Sequence, residues 1–321
     1  MRHHIFLIIT FALNCSNLFA NPNQLKITFG SCYKQSDREK VFDDISITDP
    51  DAFFWLGDII YADHFSPKKR RAAYNQIKNK TAYKVLENST IIDGTWDDHD
   101  YAHNNANGDY VLKEKSKELL LEFLSIKKTS PVFKRKGIYH KRYMSKGELS
   151  VETLFLDTRS FMSKRQQQLL GPAQWSWLED SITNSKSDLI IIASSISVLS
   201  PVSRFLFWIE GWHQFRKEKQ RLLRLISSVN KKIVLISGDR HYSDASRVPL
   251  RNGNFLYEFM SSGMTKTSKP MSSDIRINMP VNIQNFSLLK INKSYQGFIR
   301  LEHEIFDFNK ERIVQRNIIS L

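Results

Sequence analysis

Three short stretches, far apart in the chain, bring aspartate and histidine together: Gly57-Asp58-Ile59-Ile60-Tyr61-Ala62-Asp63, Trp96-Asp97-Asp98-His99-Asp100 and Gly238-Asp239-Arg240-His241. Carboxylates and imidazoles are the donors that metal ions accept from proteins. A carboxylate has two oxygens, so Asp58 could bridge two cations. Tyr61 adds a phenol, a hard ligand suited to a ferric ion. In an extended segment Asp239 and His241 point the same way, with Arg240 turned elsewhere. His241 could then orient a phosphate or act as acid or base. The four groups from Asp97 to Asp100 cannot all be buried without partners. They read either as helix caps and turn acids or as ligands. Asn104 and Asn105 follow with neutral oxygens of the kind calcium accepts.

Such groups need a scaffold, and the flanking residues supply one. Phe53-Phe54-Trp55-Leu56, Ile91-Ile92-Asp93-Gly94-Thr95 and Ile233-Val234-Leu235-Ile236-Ser237 precede the three stretches. Each chemical stretch therefore sits where a buried strand ends, and ligands of α/β sheets collect at strand ends. Three ends carrying Asp and His point to one shared metal site. Cys32 closes a fourth candidate strand, Leu25-Lys26-Ile27-Thr28-Phe29-Gly30-Ser31-Cys32. A thiolate there would be a soft ligand for a transition metal, and buried apolar filler is the alternative.

Along the chain, strand patterns at 25–30, 52–56, 90–93, 152–157, 188–194, 232–237 and 255–260 alternate with helix patterns at 37–45, 68–88, 112–127, 172–184 and 213–229. The helix after Gly171 opens on Pro172, which suits a first turn, and its apolar spacing of Trp175, Trp177, Leu178 and Ile182 predicts a buried stripe. Beyond about residue 280 the helices stop. Phe286–Ile291, Gly297–Leu301 and Glu302–Phe306 read as consecutive strands, an antiparallel flank completing a second sheet. Residues 264–282, rich in Ser, Lys, Met and Pro, form the loosest stretch. No repeat, low-complexity tract or interdomain linker interrupts the pattern.

At 321 residues, with 41% hydrophobic and 25% charged residues, the composition is that of a globular protein with a sizeable core. The net charge of +14 favours polyanions or anionic surfaces in general and says nothing about a site. No nucleic-acid-binding motif accompanies it, so specific nucleic-acid binding is not expected. Arg2, His3 and His4, the apolar run Ile5 to Leu13 and the small residue Ala20 form a leader over residues 1–20. The run is shorter than the ~20 apolar residues that a membrane span needs. The expectation is export to the periplasm or the extracellular space, with residues 21–321 as a single domain. Ala12-Leu13-Asn14 is a poor lipidation signal for Cys15, and Cys32 would then be the only cysteine of the mature chain.

Taken together, the motifs resemble the PhoD-like (alkaline phosphatase D) branch of the calcineurin-like metallophosphatases. The resemblance is carried by Phe29-Gly30-Ser31-Cys32, Leu56–Asp63, Gly94-Thr95-Trp96-Asp97-Asp98-His99-Asp100-Tyr101 and Phe155-Leu156-Asp157-Thr158-Arg159. It continues through Leu170–Leu178, Ser237–His241 and Leu256–Gly263, in family order. It implies a four-layer α/β/β/α sandwich with mixed sheets and metals at the strand ends. It also implies hydrolysis of phosphate mono- or diesters by a metal-activated water. Carried over residue by residue, Cys32, Asp58 and Tyr61 would ligate ferric iron, and calcium would be the second metal type. Asp98 and Asp239 fall where related phosphatases place metal ligands, and Asn105 is carried over as a further ligand. His99 and His241 fall where they place phosphate-facing groups. Arg159 would contact substrate, with pairing to Asp157 or another core acid as the alternative. Larger bacterial members carry an extra N-terminal β domain, and many use twin-arginine export; no arginine pair occurs in this leader.

Two other classes fit parts of the sequence. A membrane-surface hydrolase of phospholipase type would use the basic charge and Phe205-Leu206-Phe207-Trp208-Ile209, which otherwise reads as core packing. A non-catalytic binder of polyanions or anionic lipid would keep the fold and turn nothing over. The oligomeric state is not legible in the sequence.

Overall fold

The computed structural model describes residues 24–64, 66–200 and 209–321. The leader and Phe205–Trp208 lie outside these residues. Among the described residues no helix is long and apolar enough to cross a membrane.

Two mixed six-stranded sheets pack face to face. The first contains β1 (Gln24–Gly30), β2 (Ala52–Leu56) and β3 (Ile91–Thr95), running parallel, with β10 (Asn285–Lys293), β11 (Ile299–Asp307) and β12 (Arg312–Ser320) added antiparallel beside β1. The second has parallel β5 (Leu149–Phe155), β6 (Leu189–Ser194), β7 (Ile233–Ser237) and β9 (Phe255–Met260). Antiparallel β4 (His140–Lys146) and β8 (Asp244–Pro249) form its edges.

Strand β2 shows why the layers form. Successive side chains point to opposite faces. Phe53 and Trp55 enter the core beneath the helices, while Ala52, Phe54 and Leu56 enter the core between the sheets. There Phe54 meets Phe155 of the other sheet edge to face, with ring centroids 5.0 Å apart. Strand β6 does the same from the second sheet, with Leu189 and Ile191 inward and Ile190 and Ile192 outward. The outer helices of the first sheet are α1 (Lys40–Ile47), α2 (Pro67–Lys78), α3 (Thr81–Ser89), the short α4 (Asp98–Tyr101) and α5 (Lys113–Phe123). Those of the second are α6 (Gly171–Asn184) and α7 (Arg216–Ser228), whose Trp175, Leu178, Ile182, Leu222 and Ile226 face β5 to β7. Burying each such side chain contributes roughly 2 kcal/mol.

Several expectations change. The C-terminal strands do not complete a second sheet; β10 pairs with β1 and extends the first. The segments 297–301 and 302–306 are one strand, β11. The helix expected at 68–88 is two helices, broken where Lys80 turns extended (φ −65°, ψ 133°). Strands β4, β8 and β12 were not legible because edge strands alternate with polar or charged residues and carry little apolar signal.

A histidine sits in the core between the sheets. His303 on β11 is fully buried, packed against Phe259 at 4.5 Å between ring centroids. Its Nδ1 accepts from the Asn317 amide (3.2 Å), so the proton lies on Nε2, which donates to Ser287 Oγ (3.1 Å). Burial holds its pKa down at about 3. The unfolded chain binds this proton near pH 6.5 and the folded chain does not, so stability is present above that pH and falls with acidification. The expected slope is about 1.4 kcal/mol per pH unit between the two pKa values. Urea unfolding of wild type and His303→Gln at neutral and mildly acidic pH checks this, and the variant should lose less on acidification.

Candidate metal centre

The chemical residues lie just beyond strand ends on one edge of the sandwich: Cys32 after β1, Asp58 after β2, Asp98 after β3, Asp239 after β7 and Ser262 after β9. The two Gly-Asp pairs have a steric cause. A Cβ on Gly57, which has φ +92°, would lie 2.4 Å from Asp97 Cβ, and one on Gly238 would lie 2.5 Å from Ser31 Oγ. The loops can close on one another only with glycine there. Five of the ten non-glycine left-handed residues among the described residues lie in the same place. Cys32 (φ 61°), Asp58 (49°), Asn105 (58°), Asp239 (76°) and His241 (56°) are all left-handed without being glycine. Such conformations cost about 1–3 kcal/mol each and cluster at functional sites.

Asp58 is the centre of the cluster. Its Oδ2 accepts from Tyr61 OH (3.2 Å) and lies 3.5 Å from Cys32 Sγ. Its Oδ1 is buried with no hydrogen-bond partner. Among the described residues, ligand atoms converge within 4.8 Å in two groups: Cys32, Asp58 and His241, and Asp58, Asp98 and His99. Asp58 belongs to both. Tyr61 OH lies 3.4 Å from His241 Nε2.

The run Asp97 to Asp100 divides its labour. Asp97 and Asp100 form a capping box on α4. Asp100 also accepts from Ile59 N (3.0 Å) and Ile60 N (3.1 Å), which fixes the backbone that follows Asp58. Asp98 is left to face the cluster, its oxygens taking His99 N (2.9 Å) and Asn105 N (2.5 Å). The Asn105 side chain was the expected ligand; the structure brings its backbone N–H to Asp98 while the residue itself is exposed. Asp63 holds His99 Nδ1, leaving Nε2 free for the cluster.

Arg159 takes the pairing with core acids that the sequence left as the alternative. It is fully buried, with Nε donating to Asp97 Oδ1 (2.7 Å) and a terminal nitrogen donating to Glu210 Oε2 (2.6 Å). Asp157 receives only its backbone N–H, at 2.9 Å. The guanidinium stands behind Asp97, so Arg159 is a positioning residue rather than a substrate contact.

Sequence reasoning passed over three further residues. Ser262 Oγ lies 3.2 Å from Cys32 Sγ and accepts from His241 N (2.9 Å), tying two of the strand ends together. It lies in the Leu256–Gly263 stretch, just after β9. Buried Arg70 donates to the carbonyls of Ala62 (3.3 Å), His99 (2.7 Å), Asp100 (2.6 Å) and Ala102 (2.8 Å). Lys266 places its ammonium 3.9 Å from the Tyr61 ring centroid.

Electrostatics show what the cluster lacks. Burial, then Asp98, Asp97, Asp100 and Asp239, push Asp58 well above the carboxylate range. Desolvation, with Glu210 and Asp98, pushes Asp239 up to about 7. Burial and Asp58 push the Cys32 thiol up. For Asp98 burial acts upward but is outweighed by Arg159 and His99, leaving it below its usual value. Burial, Lys266 and His99 hold His241 down at about 4, so its imidazole is neutral near pH 7. Crowded acids, an unpartnered carboxylate oxygen and neutral nitrogen and sulfur donors are the set that cations complete.

The sandwich and this cluster at its strand ends define a metallophosphatase architecture. The PhoD-like phosphatase family matches residues 25–305, and the chain belongs to it. A structure described as that of PhoD superposes with a TM-score of 0.72 at 18% identity, covering 94% of this chain and 69% of that one. The purple acid phosphatase PPD1 from yellow lupin (Lupinus luteus) seeds gives 0.62 at 12% identity, covering 92% of this chain and 54% of that one. No curated protein matches the chain in sequence.

Proposed function

We propose that the protein is a metal-dependent phosphoesterase that hydrolyses phosphate mono- or diesters. One observation carries this reading: Asp58 is shared by two convergent ligand groups and keeps a buried, unpartnered oxygen. Cys32, Tyr61 and Asp58 would hold one cation, with the His241 imidazole beside it, and the thiol and phenol suit ferric iron. Asp58, Asp98 and His99, with Asp239 close by in the acid cluster, would hold a second, and the carboxylates suit calcium. Bound there, the cations would neutralise phosphate charge and lower the pKa of water.

The chain's own residues supply the rest. Asp63 fixes the His99 ring and Ser262 fixes the His241 backbone, so both imidazoles are held at the cluster. Neutral His241 can take a proton, and its imidazolium can donate to a leaving oxygen. The leader at residues 1–20 supports export to the periplasm or the extracellular space, where calcium is available.

The test is hydrolysis of bis(4-nitrophenyl) phosphate and 4-nitrophenyl phosphate by purified mature protein, with and without chelator. Turnover that chelator removes and restored iron and calcium return is the expected result, and the rate ratio assigns the ester class. Metal-loaded, folded protein that hydrolyses neither ester would overturn the proposal in favour of a non-catalytic anion binder.

A further inference from the structure

The phosphoesterase reading leaves one charged group at the cluster unused. Lys266 lies in the stretch that looks loosest in the sequence, yet its neighbours are tied to the site on both sides. Thr265 donates to the Cys32 carbonyl through N (3.1 Å) and Oγ1 (3.2 Å). Ser268 N donates to the His241 carbonyl (2.8 Å), and its Oγ donates to the Arg240 carbonyl (2.9 Å). The lysine is thus held between two strand ends that carry candidate ligands, with its ammonium over Tyr61. The residue is exposed, and among the described residues no carboxylate lies within ion-pairing distance of it.

A cation–π contact at an exposed position is worth only about 0.5–1 kcal/mol. The same ammonium also opposes protonation of His241. A cation placed there without an acidic partner has a use if an anion arrives with the substrate. The reacting phosphate would be met by cations at Asp58, which leaves Lys266 for a second charge.

Resting on the phosphoesterase reading, we propose that Lys266 is a specificity residue: it selects phosphate esters that carry a second anionic group on the alcohol beside the reacting phosphate. The class includes esters whose alcohol bears a carboxylate or a further phosphate.

A charge series with one leaving group tests it. The 4-nitrophenyl diesters of phosphate with choline, ethanol and glycolate differ mainly in the second alcohol, which is cationic, neutral or anionic. Wild type should show kcat/KM for the glycolate ester about three- to tenfold above the ethyl ester, with the choline ester lowest, as expected for one partly screened charge pair. Added salt should compress the series. Lys266→Met should flatten it, Lys266→Arg should keep it and Lys266→Glu should invert it. Ratios within each variant are the readout, because a structural role would lower all three esters together. An unchanged series in Lys266→Met, with wild type active, overturns the lysine assignment alone. No turnover of any ester by metal-loaded wild type overturns the phosphoesterase reading and this inference with it.

Discussion

Asp58→Asn should lower kcat for phosphodiester hydrolysis by roughly three orders of magnitude or more, the range seen when a central catalytic group is removed. An amide cannot present two anionic oxygens, so the two ligand groups that share Asp58 would lose their common member. The stability effect should depend on metal. In metal-stripped protein Asp58 is a buried acid crowded by Asp98, Asp97, Asp100 and Asp239, which raise its pKa. A group whose folded pKa is raised binds its proton more tightly when folded. Its contribution is therefore present at low pH and is lost as pH rises above the ordinary carboxylate value. The neutral amide of the variant would carry no such penalty, so stripped Asp58→Asn should unfold at a higher temperature than stripped wild type near neutral pH. With metal restored the order should reverse, because ligand binding stabilises only the chain that binds it. Thermal unfolding of both proteins with chelator and with iron and calcium reads all four states. The same order in both conditions would count against a shared metal ligand.

Arg159→Met is expected to destabilise the folded protein by about 3–5 kcal/mol, the usual consequence of removing one partner from a buried ion network. Asp97 and Glu210 are both buried, and each has Arg159 as an ion-pair partner, at 2.5 Å and 2.6 Å. Without the guanidinium both carboxylates stay in the interior uncompensated. Asp97 also caps the helix that presents Asp98 and His99, so activity should fall through loss of structure. Urea unfolding separates this from a substrate-contact role. An Arg159→Met protein with unchanged unfolding free energy and a raised KM would contradict the positioning role. Adding Asp97→Asn should recover part of the lost stability, because it removes one stranded charge.

Much of this centre was legible in the sequence because its logic is local. A Gly-Asp pair after an apolar run marks a strand end, and Cys32, Asp58, Asp98 and Asp239 all lie at such ends. What was hidden was non-local or conformational. The left-handed backbone at Cys32, Asp58, Asp239 and His241 does not follow from side-chain type alone. The run Asp97-Asp98-His99-Asp100 contains both a capping pair and a site-facing pair, and only the packing of Ile59 and Ile60 against Asp100 tells them apart. Ser262 and Lys266 lie more than two hundred residues from the strand ends they meet at Cys32 and Tyr61, and such contacts follow only from sheet order. The same limit applies to β10, whose antiparallel pairing with β1 carries the C-terminal strands into the first sheet.

The central claim is that Asp58 is the common ligand of two cations. Elemental analysis of mature protein, loaded with iron and calcium and freed of unbound ions, tests it most directly. The account predicts two or more cations per wild-type chain, and a loss of more than one from Asp58→Asn protein that remains folded. Equal metal content in the two proteins, or a wild-type chain that binds no metal, would contradict it.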